Sequence, residues 1–317
     1  MEDGSRESAP FPIPVLAGPT GIGKTAVATV LASLAPIEII SADSRQIYRG
    51  LDVGTAKPSA ADRAAAPYHG IDILEPRERY SAGRFARDAA GWIVAAAGRG
   101  RLPVVVGGTG FYLRALFDGL FDEPEMDESR RQRLRSLLDA LPGAERVRWA
   151  RRLDPVFAGG GAQREARGIE VALLTGVPLS RLHQDAPAPL PPAKAWYAVM
   201  KLPREQLVER ITQRVRSMLS GGLVAEVERS LAAGVPDDAP GLSGVGYAEV
   251  VELLRGRLAA ASLESAIVTS TRRYAKRQVT WFRHQLKGPV TMLDASQPPD
   301  VLAQELLSGY RAAVENP

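Results

Sequence analysis

The feature that most constrains this chain is a glycine-rich loop placed between an apolar strand and an amphipathic helix. The loop reads G-P-T-G-I-G-K-T and runs from Gly18 to Thr25. It follows Ile13–Ala17, an apolar run that predicts a buried strand, and it leads into Lys24–Leu34, which has helical periodicity. This is the P-loop pattern in the context that it requires, and it indicates a parallel α/β sheet with the loop at one edge.

The loop predicts a phosphate site. Its glycines let successive backbone N–H groups turn toward phosphate oxygens, and the start of the helix adds N–H groups of its own. Lys24 supplies a positive charge for the terminal phosphates, and the hydroxyl of Thr25 is placed to ligate Mg²⁺. The predicted diphosphate-binding residues are Gly18, Pro19, Thr20, Gly21, Ile22, Gly23, Lys24 and Thr25.

The rest of the chain predicts an α/β fold with a helical insertion. Short apolar strands alternate with helices up to Val106, and the strand pattern resumes at Trp196–Leu202. Between them, from about Gly119, the sequence is Arg-rich and helical, and it closes in the proline-rich stretch 185–194, which predicts a stiff linker. We therefore predict a P-loop NTPase-like parallel sheet flanked by helices, formed by 1–118 and 195–317, with an inserted helical domain over 119–194.

Composition excludes several kinds of site. The chain has no cysteine, so disulfides and thiolate zinc sites are ruled out, and its three histidines lie far apart in sequence. The longest apolar runs are too short to cross a bilayer, and the polar start M-E-D-G-S-R-E-S is not typical of a secretory signal. We expect a cytoplasmic protein. Nothing in the sequence requires an oligomer or an obligate protein partner.

A P-loop alone leaves the reaction open, and the acids near it narrow the choice. Motor-type NTPases carry a second apolar strand that ends in an Asp for the metal. Here Val104–Val106 runs into Gly107-Gly108-Thr109-Gly110, and the acid at a strand end is Asp43, after Ile39–Ala42. Because parallel sheets place ligands at the carboxyl ends of their strands, we expect Asp43 beside the P-loop, as a metal ligand through water or a general base. A structural role in a turn or helix cap is the alternative.

The stretch Ser41–Pro58, S-A-D-S-R-Q-I-Y-R-G-L-D-V-G-T-A-K-P, resembles the signature of the tRNA dimethylallyltransferase family. Other family blocks follow the same order: G-P-T-G-I-G-K-T at Gly18, V-V-V-G-G-T-G-F-Y-L at Val104 and A-K-R-Q-V-T-W-F-R at Ala275. The resemblance extends from Pro14 to about Leu293. It implies that a dimethylallyl group passes from dimethylallyl diphosphate, bound with Mg²⁺, to the exocyclic amine of the adenosine 3′-adjacent to a tRNA anticodon.

The resemblance also implies roles for individual residues. Asp43 would take the proton of the amine, Thr109 would touch the target nucleotide, and Arg214 would stabilise the leaving diphosphate. A surface ion pair with Glu205 or Glu209 is the expectation for Arg210, one turn before Arg214. The residues predicted to bind tRNA, with an insertion domain that holds the anticodon stem-loop, are Asp43, Ser44, Arg45, Gln46, Thr109, Arg131, Gln163, Arg164, Glu165, Ala166, Arg167 and Arg277. Ser243 departs from the family, because some members carry an Arg at its position.

Two basic regions favour an RNA partner more than the net charge of +4 does. Glu128–Arg152 has eight Arg against three acids, and Arg272–Lys287 has six Lys and Arg and no acid. A solvated charge stripe is the alternative for the second region. On a helical wheel, one face carries Arg273, Arg277, His284 and Lys287, and the opposite, apolar face carries Ala275, Val279, Phe282 and Leu286.

Three other functions remain open from sequence. An adenylate isopentenyltransferase acting on free nucleotides would not need the Arg-rich insertion or the basic helix. A small-molecule kinase would use the P-loop equally well, since the loop by itself suggests ATP. An RNA-binding protein could use it as a nucleotide switch. One assay separates these functions: incubation with dimethylallyl diphosphate, Mg²⁺ and either an anticodon stem-loop or AMP.

Overall fold

The computed structural model describes residues 12–119, 126–157, 159–184 and 194–315, and the chain divides into two units. The first unit joins Met1–Asp118 to Pro189–Pro317, and the second is Gly119–Ala188. The polar start of the chain and all but the last residue of the proline-rich stretch lie outside the described residues. No helix among the described residues has the length and apolar character needed to span a membrane.

The first unit is built on a parallel sheet of six strands, which confirms the predicted α/β class. Its centre is apolar on both faces, as in sheets covered by helices on each side. In chain order the strands are β1 (Ile13–Ala17), β2 (Ile37–Ala42), β3 (Tyr68–His69), β4 (Leu102–Gly107), β5 (Ala195–Lys201) and β6 (Val290–Asp294).

Helices cover this sheet and supply the remaining walls of the core. Helix α1 (Lys24–Leu34) packs on α13 (Pro299–Glu315), while α3 (Ala82–Gly98) lies beside α4 (Gly110–Asp118) and against β2 and β4. The helices of the first unit are α1 (Lys24–Leu34), α2 (Ala60–Ala65), α3 (Ala82–Gly98), α4 (Gly110–Asp118), α9 (Arg204–Ser220), α10 (Leu223–Ala232), α11 (Tyr247–Leu254), α12 (Leu263–His284) and α13 (Pro299–Glu315), with a short 3₁₀ turn at Ala260–Ser262.

Strand order brings three loops together at one edge. The order is β3-β2-β4-β1-β5-β6, so β4 lies between β1 and β2. The P-loop follows β1, Asp43 follows β2, and the glycine-rich turn follows β4. A Cβ at Gly107 would overlap the carbonyl oxygen of Ala42, so the close approach of β2 and β4 requires glycine there.

The second unit is helical, with α5 (Glu128–Ala140), α6 (Gly143–Leu153), α7 (Ala162–Thr175) and α8 (Leu179–Gln184). A small core of Leu138, Ala150 and Ile169 holds α5, α6 and α7 together. Buried acids support it: both Asp154 carboxylate oxygens accept hydrogen bonds from Ser180, at 2.9 and 2.6 Å. The unit therefore has its own packing.

The predicted apolar face of the C-terminal helix is partly wrong. Ala275 and Phe282 are buried as expected, but Val279 is exposed and Gln278 takes the buried position instead. The buried stripe repeats every three or four residues, and one step from 278 to 279 turns the side chain about 100° away from it. Helix α12 also ends at His284, so Leu286 and Lys287 lie beyond it.

Candidate functional site

A cavity of about 250 Å³ opens where the P-loop, the Asp43 segment, α9 and α12 meet. Thr20 and Asp43 contribute to its wall, with Arg214 from α9 and Tyr274 from α12. A smaller cavity of about 40 Å³ lies beside it and contacts Lys24 and Thr25 as well as Asp43. Asp43 therefore faces both spaces, and the predicted proximity of Asp43 and the P-loop is confirmed.

The P-loop has the backbone of an anion-binding loop. Gly21 and Gly23 have φ angles of 80° and 105°, which only glycine adopts without strain. Lys24 Nζ folds back over the loop and donates to the carbonyl oxygens of Gly18 and Pro19, at 2.9 and 3.0 Å.

Burial makes Lys24 an unusually weak base. Desolvation lowers the pKa of Lys24 from 10.5 to about 8, although Asp43 nearby raises it and Arg214 lowers it further. A phosphate bound in the loop would supply the negative charge that this ammonium group needs.

Thr109 is joined directly to the Asp43 segment. Its Oγ1 accepts a hydrogen bond from the backbone N–H of Ser44 at 3.1 Å, and its own N–H donates to the carbonyl of Ala42 at 3.1 Å. Asp43 Oδ1 accepts a hydrogen bond from the N–H of Arg45 at 2.8 Å. One oxygen of the Asp43 carboxylate therefore stabilises the turn in which Asp43 itself lies. The turn role and a chemical role are therefore compatible.

Arg214 enters the cavity from α9. Its Nη2 donates to the carbonyl oxygen of Thr55 at 3.3 Å, and burial lowers the pKa of Arg214. Arg210 does not form the expected surface ion pair. It donates instead to the carbonyl oxygens of Ile22 and Ala295, at 3.0 and 2.9 Å, because the second turn of α9 lies against the P-loop.

Gln46 and Arg45 are held by the protein itself. Gln46 Oε1 accepts from Ser41 Oγ at 3.0 Å, which fixes the amide beside the smaller cavity. Arg45 Nη1 donates to the carbonyl of Pro240 at 2.7 Å and to Ser243 Oγ at 3.2 Å. Both residues stay predictions as RNA contacts, as does Ser44 in the cavity wall.

Arg277 and Tyr274 form the α12 side of the cavity mouth. The Arg277 guanidinium lies over the Tyr274 ring, 5.7 Å from its centre, and Arg277 is exposed. Burial, with Asp43 adding to it, raises the pKa of Tyr274 to about 12, so its phenol stays neutral at physiological pH.

Gln278 connects the P-loop to the glycine-rich turn, and sequence reasoning missed it. Its Oε1 accepts from the N–H of Thr20 at 2.9 Å, and its Nε2 donates to the carbonyl of Gly108 at 2.8 Å. The available signal was a polar residue on the buried face of α12, since buried amides must be hydrogen-bonded.

Glu226 is a second residue that sequence reasoning missed. This buried carboxylate accepts from three consecutive N–H groups, those of Asp52 at 2.7 Å, Val53 at 2.8 Å and Gly54 at 3.1 Å. The hydroxyl of Tyr247 adds a fourth bond at 2.6 Å. Together they fix the loop that presents Gly54 and Thr55 to the cavity. The sequence signal was an acid on the same face of α10 as the buried residues Leu223 and Val227.

The predicted RNA contacts of the second unit differ in accessibility. Gln163 and Arg164 are exposed at the start of α7, and Ala166 is half-buried. Glu165 is buried and pairs with Arg146 at 3.3 Å. Each of these residues stays a prediction as an RNA contact.

Three arginines of the second unit converge on the buried carboxylate of Glu170. Arg131 and Arg135 donate at 2.8 and 2.6 Å, and Arg167 donates at 2.5 Å. The three cations lower the pKa of Glu170 against the opposing effect of its burial. The RNA contacts of Arg131 and Arg167 remain predictions.

Two family models match the chain. Residues 46–285 match the IPP transferase model, and residues 12–65 match the isopentenyl transferase model. A tRNA dimethylallyltransferase of Thiobacillus denitrificans is 42% identical over 96% of both chains. That of Citrifermentans bemidjiense is 43% identical over 84% of this chain and 88% of its own. The crystal structure of the tRNA isopentenylpyrophosphate transferase of Bacillus halodurans, 31% identical, superposes with a TM-score of 0.71 and covers 96% of this chain and 97% of its own.

Proposed function

Because the chain belongs to the IPP transferase family, we propose that it transfers the dimethylallyl group of dimethylallyl diphosphate to an adenosine of tRNA. The observation that carries this proposal is the position of Asp43. It faces the large cavity together with Arg214 and the smaller one together with Lys24 and Thr25. A carboxylate is thereby placed beside the phosphate loop, where an acceptor amine would meet the carbon bearing the diphosphate.

In the proposed reaction, the bond between C1 of the prenyl group and the diphosphate oxygen breaks, and its electron pair leaves with the diphosphate. The exocyclic amine of adenosine forms the new N–C1 bond, and Asp43 accepts the amine proton. The N–H groups of the P-loop, Lys24 and Arg214 stabilise the charge that builds up on the leaving group. Thr109 orients the Asp43 segment through its bond to Ser44.

A magnesium ion fits the residues at the phosphate loop. Thr25 at the first turn of α1 and Asp43 offer oxygen donors around the smaller cavity, and Mg²⁺ prefers few protein oxygens together with phosphate and water. No cluster of three or more His, Cys, Asp and Glu side chains occurs in the described part of the chain. Thr25 would hold the ion directly and Asp43 through water, and the ion would neutralise the diphosphate.

The acceptor we propose is the adenosine 3′-adjacent to the anticodon, presented by the anticodon stem-loop in the cytoplasm. A base inside a loop must leave its stack to reach a cavity of this kind. Exposed Arg277 at the cavity mouth would contact phosphates or bases of the loop, and Gln163 and Arg164, exposed on the second unit, would contact the same RNA. Free AMP carries one phosphate and one base, so it lacks the neighbouring nucleotides that these side chains would contact.

The test is transfer from labelled dimethylallyl diphosphate, with Mg²⁺, to an anticodon stem-loop with adenosine beside the anticodon, in parallel with AMP. We expect product on RNA alone, and Asp43→Asn should abolish turnover while RNA binding changes little. Product on AMP alone would replace the proposal with an adenylate isopentenyltransferase, and phosphate transfer from ATP would indicate a kinase. A collapse of RNA binding in Asp43→Asn would make Asp43 a binding residue.

A further inference from the structure

The large cavity has two chemically different parts. Its exposed mouth is polar, with Ser243 and Arg277 at the surface. Its deeper wall has the apolar side chains of Val215 and Ile267, each 1% exposed, and the buried Thr55 and Thr271, whose hydroxyls donate to backbone carbonyls. Such a division suits a ligand with one polar and one hydrocarbon part.

The apolar part is continuous with the groups that face the diphosphate. Val215 follows Arg214 directly on α9, and Met218 lies one turn further along the same helix. Arg214 and Met218 are four residues apart, so their side chains project from the same face of the helix. The apolar wall therefore begins next to the charged Arg214. A prenyl diphosphate has the same order, with a charged diphosphate followed by a hydrocarbon chain.

Resting on the proposed function, we propose that Val215, Met218, Val245 and Ile267 form the prenyl-chain site and that Met218 sets the longest chain accepted. The mouth provides hydrogen-bonding and charged groups suited to a nucleotide, whereas a C5 hydrocarbon gains most from a dry apolar wall. Water excluded from this wall also cannot capture the reactive prenyl carbon in place of the amine.

Met218 is the residue of this wall best suited to set chain length. Val215 and Ile267 are fully packed in the core, so their truncation would disturb the fold. Met218 is half-buried and lines the cavity, and its unbranched thioether is adaptable in shape. Shortening it to Ala would extend the apolar space by about three heavy atoms without removing a core residue.

The test compares the C5 donor dimethylallyl diphosphate with the C10 donor geranyl diphosphate in Met218→Ala, Met218→Leu and Met218→Phe. We expect Met218→Ala to raise the C10-to-C5 ratio of kcat/KM at least tenfold, while Met218→Leu keeps the wild-type ratio because its volume is similar. Met218→Phe should raise the KM of the C5 donor and leave the KM of the RNA unchanged. Met292→Ala, on the exposed part of β6, is the matched control and should change nothing.

The experiment distinguishes a failure of the proposed function from a failure of the role proposed for Met218. If the wild-type protein transfers no C5 group to RNA, the proposed function fails. If the wild type transfers it and Met218→Ala shows the same C10-to-C5 ratio as Met292→Ala, the chain-length role of Met218 is overturned. Met218→Phe provides an independent arm if Met218→Ala does not fold, because an unchanged donor KM there would contradict the proposal equally.

Discussion

Replacing Gln278 by alanine tests how the site is assembled. The amide bridges the N–H of Thr20 and the carbonyl of Gly108, and it is 7% exposed. Removing it leaves two polar backbone groups in a mostly buried place, each at a cost of about 1–3 kcal/mol. We therefore expect Gln278→Ala to lower the free energy of unfolding by about 2–6 kcal/mol, measured by urea denaturation.

The same variant should affect one substrate more than the other. Thr20 belongs to the phosphate loop, so loss of its partner should raise the donor KM at least tenfold and leave the KM of the RNA nearly unchanged. Gln278→Glu keeps an acceptor for Thr20 but sets a carboxylate against the carbonyl of Gly108, so it should recover only part of the stability. Val279→Ala, at the exposed neighbouring position, should stay within about 0.5 kcal/mol of the wild type.

Two results would refute this reasoning. One is a change in unfolding free energy for Gln278→Ala no larger than that of Val279→Ala. The other is a loss of stability with an unchanged ratio of donor to RNA KM, because Gln278 would then support the core without holding the phosphate loop.

Three further predictions concern other groups. Because the pKa of Lys24 is about 8, donor affinity should fall about tenfold per pH unit above pH 8, and a flat profile to pH 9.5 would contradict this. Hydrogen bonds from Arg99 lower the pKa of Glu38 from 4.5 to about 2, so the unfolded chain binds more protons in that window and stability is lost as pH falls through it. That pKa difference allows about 3 kcal/mol; because Arg99 is half exposed, Glu38→Gln should cost about 2 kcal/mol at pH 7 in thermal unfolding, and a flat pH 2–4.5 profile in the wild type would refute the assignment. Tyr247→Phe removes the hydrogen bond from the tyrosine hydroxyl to buried Glu226, so it should lower the free energy of unfolding by about 1–2 kcal/mol and raise the donor KM. An unchanged donor KM would show that this bond does not shape the cavity wall.

The sheet and the phosphate loop could be predicted from sequence because their signals are local. Apolar runs located β1, β2, β4 and β5 to within a residue or two. The glycines of Gly18–Thr25 determine the backbone conformation of the phosphate loop by themselves. Asp43 could be placed beside the loop because strand ends of a parallel sheet share an edge.

The supporting residues could not be predicted, because their partners are remote in sequence. Gln278 is 258 residues from Thr20, and Glu226 is more than 170 residues from the loop that it binds. The predicted apolar face of α12 had Val279 where the structure buries Gln278, and Glu226 was not singled out. Periodicity also does not say which backbone groups a buried side chain satisfies. Likewise Arg210 looked like a surface cation, since nothing local shows that α9 lies against the P-loop.

The order of the central strands sets the distance between the two reacting groups. With β4 between β1 and β2, the phosphate loop and Asp43 are two strand spacings apart, which is about 9–10 Å. A bond formed between groups held at these two ends is formed above β4. That strand ends in Gly107 and is followed by Gly108, and these glycines let β4 and its turn pack closely against Ala42, Gly18 and Gln278. A side chain at Gly107 would strike the carbonyl of Ala42, and one at Gly108 would strike the Gln278 amide, so added bulk there would displace the loops that carry the two reacting groups.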